Sequence, residues 1–205
     1  QLPDTFATHW GVDGQPDGFS SKSFTVFFTP ILLVAMQFFC VWITDRTNRA
    51  NHQSPKVMNL IFYIIPVISL ISNGLVYAIA LGKTWNITSV MPIVLGLLFT
   101  IIGNYMPKCK QNYTIGIKIK WTLENEENWN ATHRFAGKTW FLGGLIMIFS
   151  IFLPANLNAI LLFPVFFILI AIPVLYSWLY YKKQVREGND YPLWHSKLSK
   201  SAKVV

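Results

Sequence analysis

Five runs of the sequence contain no Asp, Glu, Lys or Arg, and they constrain the fold more than any other feature. The runs are Phe24–Ile43, Val57–Leu81, Ile87–Met106, Trp140–Leu153 and Ala159–Tyr181. A helix needs about 20 apolar residues to cross a hydrocarbon core about 30 Å thick. Four of the runs reach that length, and the mean hydropathy of +0.40 agrees with them. We therefore predict an all-α, polytopic helical membrane protein.

The short fourth run reaches a spanning length if it extends into its polar flanks, with Lys138 snorkelling to the interface. We expect spans at about residues 24–43, 57–81, 87–106, 138–157 and 159–181. Residues 24–106 would hold the first three spans, and residues 140–181 the last two. The chain begins with Gln rather than Met, and we expect a sixth span before Gln1.

The basic residues predict the orientation of these spans, because Lys and Arg are enriched in cytoplasmic loops. All of them except Lys22 and Lys83 fall in segments that alternate onto one face of the membrane. We therefore expect residues 1–23 to be extracytoplasmic in a bacterial cell membrane, and residues 107–139 and the basic tail 182–205 to be cytoplasmic. The net charge of +8 follows from this topology. It predicts the lipid bilayer as a partner, without direct binding to nucleic acid.

The absence of charge from the spans argues against ion-coupled transport, since transporters and pumps usually place ionisable residues at membrane depth. A small transporter or channel remains an alternative, with a polar path through Gln37, Asn73 and Asn104. Polar side chains inside spans more often bond a neighbouring helix than line a path.

The long polar segment Gly103–Lys138 separates the third and fourth spans and holds most of the candidate functional residues. Between Tyr113 and Lys120, three isoleucines alternate with other residues, which predicts an extended piece lying along the membrane interface. Thr122 is suited to be a helix N-cap, because its hydroxyl can accept from a free amide one turn on. We therefore expect a helix from about Leu123 into the fourth span.

On that helix Glu126, Trp129 and His133 recur at spacings that place them on one face. One interpretation is a site in which Glu126 and His133 act as acid, base or ligands and Arg134 binds an anion. The other is an amphipathic helix on the membrane surface, with Trp129 as its anchor. One His and nearby Glu are an incomplete metal-ligand set, so we predict no metal, no cofactor and no catalytic residue.

The opening segment, residues 1–23, is rich in residues that favour turns, namely Gly11, Gly14, Pro16 and Gly18. His9, Asp13 and Asp17 are candidate functional residues on the extracytoplasmic face. Acids in such turns usually serve the local conformation, so these residues do not predict a metal site.

The polar segment resembles the motif of the SdpI-type immunity-protein family of bacterial membrane proteins. The matching positions include Asn104, Pro107, Asn112, Gly116, Trp121, Thr122, Glu126, Trp129, His133 and Arg134. The opening LPDTFATHWGVDGQPDGFSSK is similar to the short domain that commonly precedes this motif. Lys118 stands where the family usually has Arg, Lys120 replaces the usual Pro, and Ala7 replaces a Pro often found there.

The resemblance implies an immunity or resistance protein that protects a cell from a secreted antimicrobial peptide toxin. It also implies a signal receptor that holds a cytoplasmic repressor of transcription at the membrane. We expect the spans and outer loops to engage the toxin, and the polar segment and basic tail to face the cytoplasmic partner. The alternatives are a membrane-embedded enzyme that uses Glu126 and His133, or a small transporter.

Overall fold

The computed structural model describes residues 2–11, 13–51 and 53–188. Most of the predicted basic tail, residues 189–205, lies outside this part. Two strands precede six α-helices along the described residues, and a short π-helix, Phe24–Phe28, leads into the first of them. The elements are β1 (Thr5–Trp10), β2 (Pro16–Ser21), α1 (Thr29–Asn51), α2 (Pro55–Ala80), α3 (Ile87–Tyr105), α4 (Lys120–Glu124), α5 (Glu126–Phe149) and α6 (Ala155–Arg186).

Five helices of the described part are long and apolar enough to cross a membrane. They cover Phe24–Arg46, Pro55–Ala80, Ile87–Lys108, Glu126–Phe152 and Ile160–Arg186. The prediction of a polytopic, mainly helical membrane protein with five spans in this chain is confirmed. The fourth membrane-length helix, α5, begins earlier than the predicted span, because it also contains the last third of the polar segment, from Glu126 onward.

Helices α3 and α5 pack backbone against backbone through two reciprocal glycine pairs. A Cβ atom built on Gly103 would lie 2.9 Å from the Gly137 carbonyl oxygen, and one on Gly137 would lie 2.8 Å from the Gly103 oxygen. Gly96 and Gly144 face each other in the same way, with corresponding distances of 2.6 and 2.5 Å. Small residues permit this close approach of membrane helices, so the two helices form one tightly packed pair, here called the glycine seam.

Helix α6 also packs on α5. The indole nitrogen of Trp140 donates to the carbonyl oxygen of Leu169 at 2.8 Å, and Leu169 fills the space beside Gly143. Met147 and Leu169 are buried together with Phe99 of α3. The core of the bundle therefore lies among α3, α5 and α6.

Helices α1 and α2 form a more peripheral pair, since no residue in their most apolar windows is buried. The side-chain amide of Gln37 donates to the carbonyl oxygen of Phe62 at 2.9 Å and joins the two helices. Asn73 instead donates to Ser69 of its own helix at 2.8 Å. No hydrogen bond between described residues connects Gln37, Asn73 and Asn104, the three positions of the hypothetical polar path.

The opening segment folds into an antiparallel β-hairpin, in which Thr5 pairs with Ser21 and Trp10 with Pro16. Pro16 and Gly18, which the composition suggests for turns, lie inside β2. The register is irregular on both sides of His9. Such irregular pairing does not give a clean alternating pattern, so the sequence predicts turns where two strands form.

Tertiary contacts hold the hairpin on the helical bundle. Phe6 is buried and packs edge to face on Tyr77 of α2, with ring centroids 6.0 Å apart. Gly14 turns the chain at φ +76°, where a Cβ would lie 2.7 Å from the Thr88 methyl group at the start of α3. The hairpin thus lies at the end of the bundle where α3 begins, here called the hairpin end.

Candidate functional site

Most of the motif positions lie where α3 ends and α5 begins. Residues 106–125 fold over this end of the bundle, and we call them the cap. The side chain of Asn112 organises its first turn, donating to the carbonyl oxygens of Lys110 at 2.8 Å and Ile115 at 3.0 Å. Its Oδ1 accepts from the amides of Thr114 and Ile115, both at 2.7 Å. An Asn amide offers two donors and one accepting oxygen, so the motif Asn is a structural centre of this turn.

Gly116 brings the cap against α5. It has φ +108°, a conformation that residues with a side chain rarely adopt, and a Cβ there would lie 2.4 Å from Nε2 of His133. The next amide, of Ile117, donates to that Nε2 atom at 3.0 Å. A glycine is therefore required both by the backbone conformation and by the nearness of the imidazole ring.

The hydrogen bonds of His133 define its tautomer. Because an amide can only donate, Nε2 accepts from Ile117 and carries no proton. Nδ1 lies 2.8 Å from the carbonyl oxygen of Trp129 and donates to it. Both nitrogens of this buried, neutral ring are engaged with the backbone, which leaves neither for proton transfer or for a metal ion in this arrangement.

Trp129 lies beneath the ring of His133, with centroids 4.0 Å apart. It is fully buried, and its indole nitrogen donates to the carbonyl oxygen of Cys109 at 2.8 Å. Val57 of α2 packs into the same apolar cluster. Trp129 is thus part of the interior that joins the cap to α2 and α5, rather than a surface anchor.

Cys109 lies in this cluster with 5% of its surface exposed. Burial raises the pKa of its thiol to about 11, partly opposed by a hydrogen bond from Asn112. A thiol in such surroundings is mostly protonated near neutral pH and weakly nucleophilic.

Thr122 closes the second half of the cap from inside α4, so the prediction that it caps the following helix is wrong. Its hydroxyl donates to the carbonyl oxygen of Ile117 at 2.7 Å and accepts from the amide of Ile119 at 3.1 Å. The residue that caps α5 is Asn125, whose Oδ1 accepts from the amide of Asn128 at 2.7 Å. The extended backbone of Asn125 separates α4 from α5, which therefore are not one helix from Leu123.

The predicted extended piece is present in part. Ile115, Ile117 and Ile119 are half-buried and the residues between them are exposed, as the alternation predicts. The piece does not form a β-strand, because its amides bond to side chains such as His133 and Thr122.

Glu126 and His133 do not form an acid–base pair in this structure. They are seven positions apart on α5, a rise of about 10 Å along the helix axis. Glu126 is exposed in the first turn of α5, whereas the cap buries His133. The arrangement offers no hydrogen-bonded general acid and base at these two positions.

Comparison with known families finds a match that includes most of the cap. Residues 108–177 match the SdpI/YfhL protein family, and residues 1–34 match a domain of unknown function, DUF1648. Immunity protein SdpI of Bacillus subtilis (strain 168) is 26% identical over 186 residues, which cover 89% of this chain and 86% of that relative. No solved structure matches the chain.

Among the SdpI motif positions, Trp121, Asn104, Pro107 and Arg134 lie at the edge of the cap. Trp121 stacks on Tyr181 of α6, with centroids 6.0 Å apart. Asn104 and Pro107 are exposed at the end of α3. Arg134 is exposed on α5 and lines a polar cavity of about 420 Å³. The other residues that line this cavity are Pro107, Glu127, Asn130 and Tyr180.

Three further polar contacts involve residues that the motif does not single out. Gln53, beside the connection between α1 and α2, exchanges two hydrogen bonds with the backbone of Lys110, at 2.7 and 3.1 Å. Asn128 donates to the carbonyl oxygen of Ser177 at 3.0 Å and accepts from its hydroxyl at 2.8 Å. Gln184 donates to Glu127 at 2.8 Å. Isolated polar residues in apolar helices are the signal that could have identified Ser177.

At the hairpin end, the exposed side chains of His9 and Asp17 form a hydrogen bond across the two strands. Asp13 is used differently, because its Oδ1 accepts from the amide of Gln15 at 3.1 Å within the turn. The described residues contain no group of three His, Cys, Asp or Glu placed to hold a metal ion.

A second cavity, of about 360 Å³, lies beneath the hairpin turn and is mostly apolar. Trp10 and Gly11 belong to the region that matches DUF1648, whereas Asn158 and Leu162 on its opposite wall belong to the region that matches SdpI/YfhL. Asn158 also donates to the carbonyl oxygen of Thr88, at 3.0 Å. The two family regions therefore meet at this cavity, here called the hairpin cavity.

Proposed function

We propose that this protein is an immunity protein that protects its cell membrane from a secreted peptide toxin. The similarity to Immunity protein SdpI carries this proposal, because it extends over 89% of the chain and 86% of that relative. The five membrane-length helices agree with a function at the bilayer.

The hairpin end is the side on which such a toxin would arrive, given the predicted extracytoplasmic position of residues 1–23. The hairpin cavity offers a concave, mostly apolar surface there, bordered by the hairpin turn and by α3, α5 and α6. Sites of this kind usually combine apolar walls with a few polar groups that set orientation, and Thr88 and Asn158 supply such groups. We infer that one apolar side chain of the toxin enters this cavity.

The cap end would face the cytoplasm and a repressor of transcription. The cap is fixed to the connection between α1 and α2, to α2 and to α5 through Gln53, Trp129 and His133. The glycine seam joins the cap end of α3 and α5 to their hairpin end. These connections support signalling by movement of packed helices, because packed interfaces shift between discrete arrangements.

Filling the hairpin cavity tests this proposal. Met91 lines the cavity and is 40% exposed. Met91→Trp therefore fills part of the cavity with a larger side chain and removes no buried one. Leu97→Trp on the same helix is the matched control, since Leu97 is 48% exposed and does not line the cavity. Both variants would be produced in toxin-sensitive bacteria, with membrane levels checked by immunoblot.

We expect the wild type and Leu97→Trp to raise the toxin concentration that stops growth, and Met91→Trp to lose most of this protection. Full protection by Met91→Trp would show that the cavity does not hold the toxin. Absence of protection by the wild type, at normal membrane levels and against a panel of secreted peptide toxins, would contradict the immunity function itself.

A further inference from the structure

One face of α5 is left uncovered by its neighbours and changes from charged to apolar along the helix. Arg134 and Lys138 are exposed and lie one turn apart. Phe141 and Leu142 follow on the same side, 40% and 58% exposed. We call these four residues the α5 strip.

Cavities lie along this strip in an unbroken order. The polar cavity at Arg134 shares Pro107 with a cavity of about 400 Å³ beside Lys138 and Phe141. The cavity beside Lys138 and Phe141 shares Leu142 with a further cavity of about 460 Å³, whose lining is almost wholly apolar. The α5 strip therefore borders a groove with a polar end and an apolar remainder.

The polar end lies at the level where α3 ends. Pro107 lies in the short 3-10 helix Met106–Lys108 that follows α3, and it packs on Gly137, where a Cβ would lie 2.8 Å from the proline ring. From Arg134 to Ile146 the α5 helix rises about 18 Å, close to the 15 Å or so of one leaflet's hydrocarbon. The groove thus has the length of one lipid leaflet, with its cations at the interface.

We propose that the α5 strip binds an anionic phospholipid. The phosphate contacts Arg134 and Lys138, and one acyl chain lies along Phe141 and Leu142. Neither cation forms an ion pair with another described residue. A guanidinium group can bind phosphate oxygens in pairs. Glu127, which also lines the polar cavity, accepts a hydrogen bond from Gln184 at 2.8 Å.

The test compares two double variants that remove the same charge from the same end of the bundle. R134Q/K138Q removes the cations of the α5 strip, and K182Q/K183Q removes two exposed cations of α6. Native mass spectrometry of the protein in detergent micelles would measure binding of dioleoyl phosphatidylglycerol and dioleoyl phosphatidylcholine. Water-soluble glycerophosphoglycerol serves as a competitor that carries the headgroup alone.

Each basic residue near an anionic lipid surface adds roughly fivefold in affinity, so we expect R134Q/K138Q to bind phosphatidylglycerol about thirtyfold more weakly. K182Q/K183Q should bind it like the wild type, phosphatidylcholine should bind weakly to all three proteins, and glycerophosphoglycerol should not compete. If both double variants bind phosphatidylglycerol equally weakly, the affinity depends only on general surface charge, and the proposal is overturned. Equal binding of the two lipids, or competition by the free headgroup, would also overturn the proposal.

Discussion

Replacing Gly116 by Ala should loosen the cap through two separable effects. The new methyl group would hold an unfavourable φ of +108°, which costs about 1 to 3 kcal/mol for a residue with a side chain. It would also lie 2.4 Å from Nε2 of His133 and displace the ring. The amide of Ile117 then loses its acceptor inside the protein, a further loss of about 1 to 3 kcal/mol. We expect the free energy of unfolding to fall by about 4 kcal/mol.

Two other glycines separate these effects. Gly82→Ala retains the backbone strain, at φ +86°, but has nothing within 4 Å of the new methyl group. Gly74→Ala has neither strain nor contact, and inside a helix it should raise stability by about 0.5 to 1 kcal/mol.

The measurement is unfolding by sodium dodecyl sulfate in mixed micelles, followed by tryptophan fluorescence. Trp129 lies directly under His133, so its emission should also change in the folded state of Gly116→Ala. If Gly116→Ala and Gly82→Ala lose equal stability to within about 0.5 kcal/mol, the contact between Gly116 and His133 does not stabilise the cap.

Other variants test the seam and the buried polar groups. Gly144→Leu should separate α3 from α5 and prevent accumulation of folded protein, whereas Gly74→Leu should be tolerated, as membrane levels and the same unfolding titration would show. In a Cys40→Ala background, Cys109 should react with N-ethylmaleimide only after denaturation, because its thiol is buried and has a pKa of about 11. Mass spectrometry would measure the reaction, and equal rates for the native and the denatured protein would contradict this expectation. Asn128→Leu should lower the free energy of unfolding by about 1 to 2 kcal/mol, since it removes buried hydrogen bonds between α5 and α6; an unchanged unfolding midpoint would refute that role.

The spans could be predicted from sequence because hydropathy reports a local requirement, the length of an uncharged helix. The hairpin could not be predicted, since its folded structure depends on contacts of Phe6 with Tyr77 and of Gly14 with Thr88. Each partner lies far along the chain, in a helix whose position is set by the whole bundle.

The motif positions of the cap could likewise be identified, but not their roles. The partners of Trp129 and His133 are backbone groups of Cys109 and Ile117, and a backbone atom leaves no trace in a sequence pattern. Spacing on α5 placed Glu126 and His133 on one face, yet the cap covers only His133. The difference between exposed and buried positions on one helix face arises from a loop that packs over part of it.

The glycine seam imposes an order on biosynthesis. Helices emerge from the ribosome in chain order, so α3 is made before its partner α5 and must first lie among lipids with its glycine face uncovered. The cap is made between the two helices, and its hydrogen bonds to α5 cannot form before Trp129 and His133 are present. Closure of the seam and completion of the cap therefore both wait for the synthesis of α5, and a chain stopped before α5 would present an open glycine face to any other helix in the membrane.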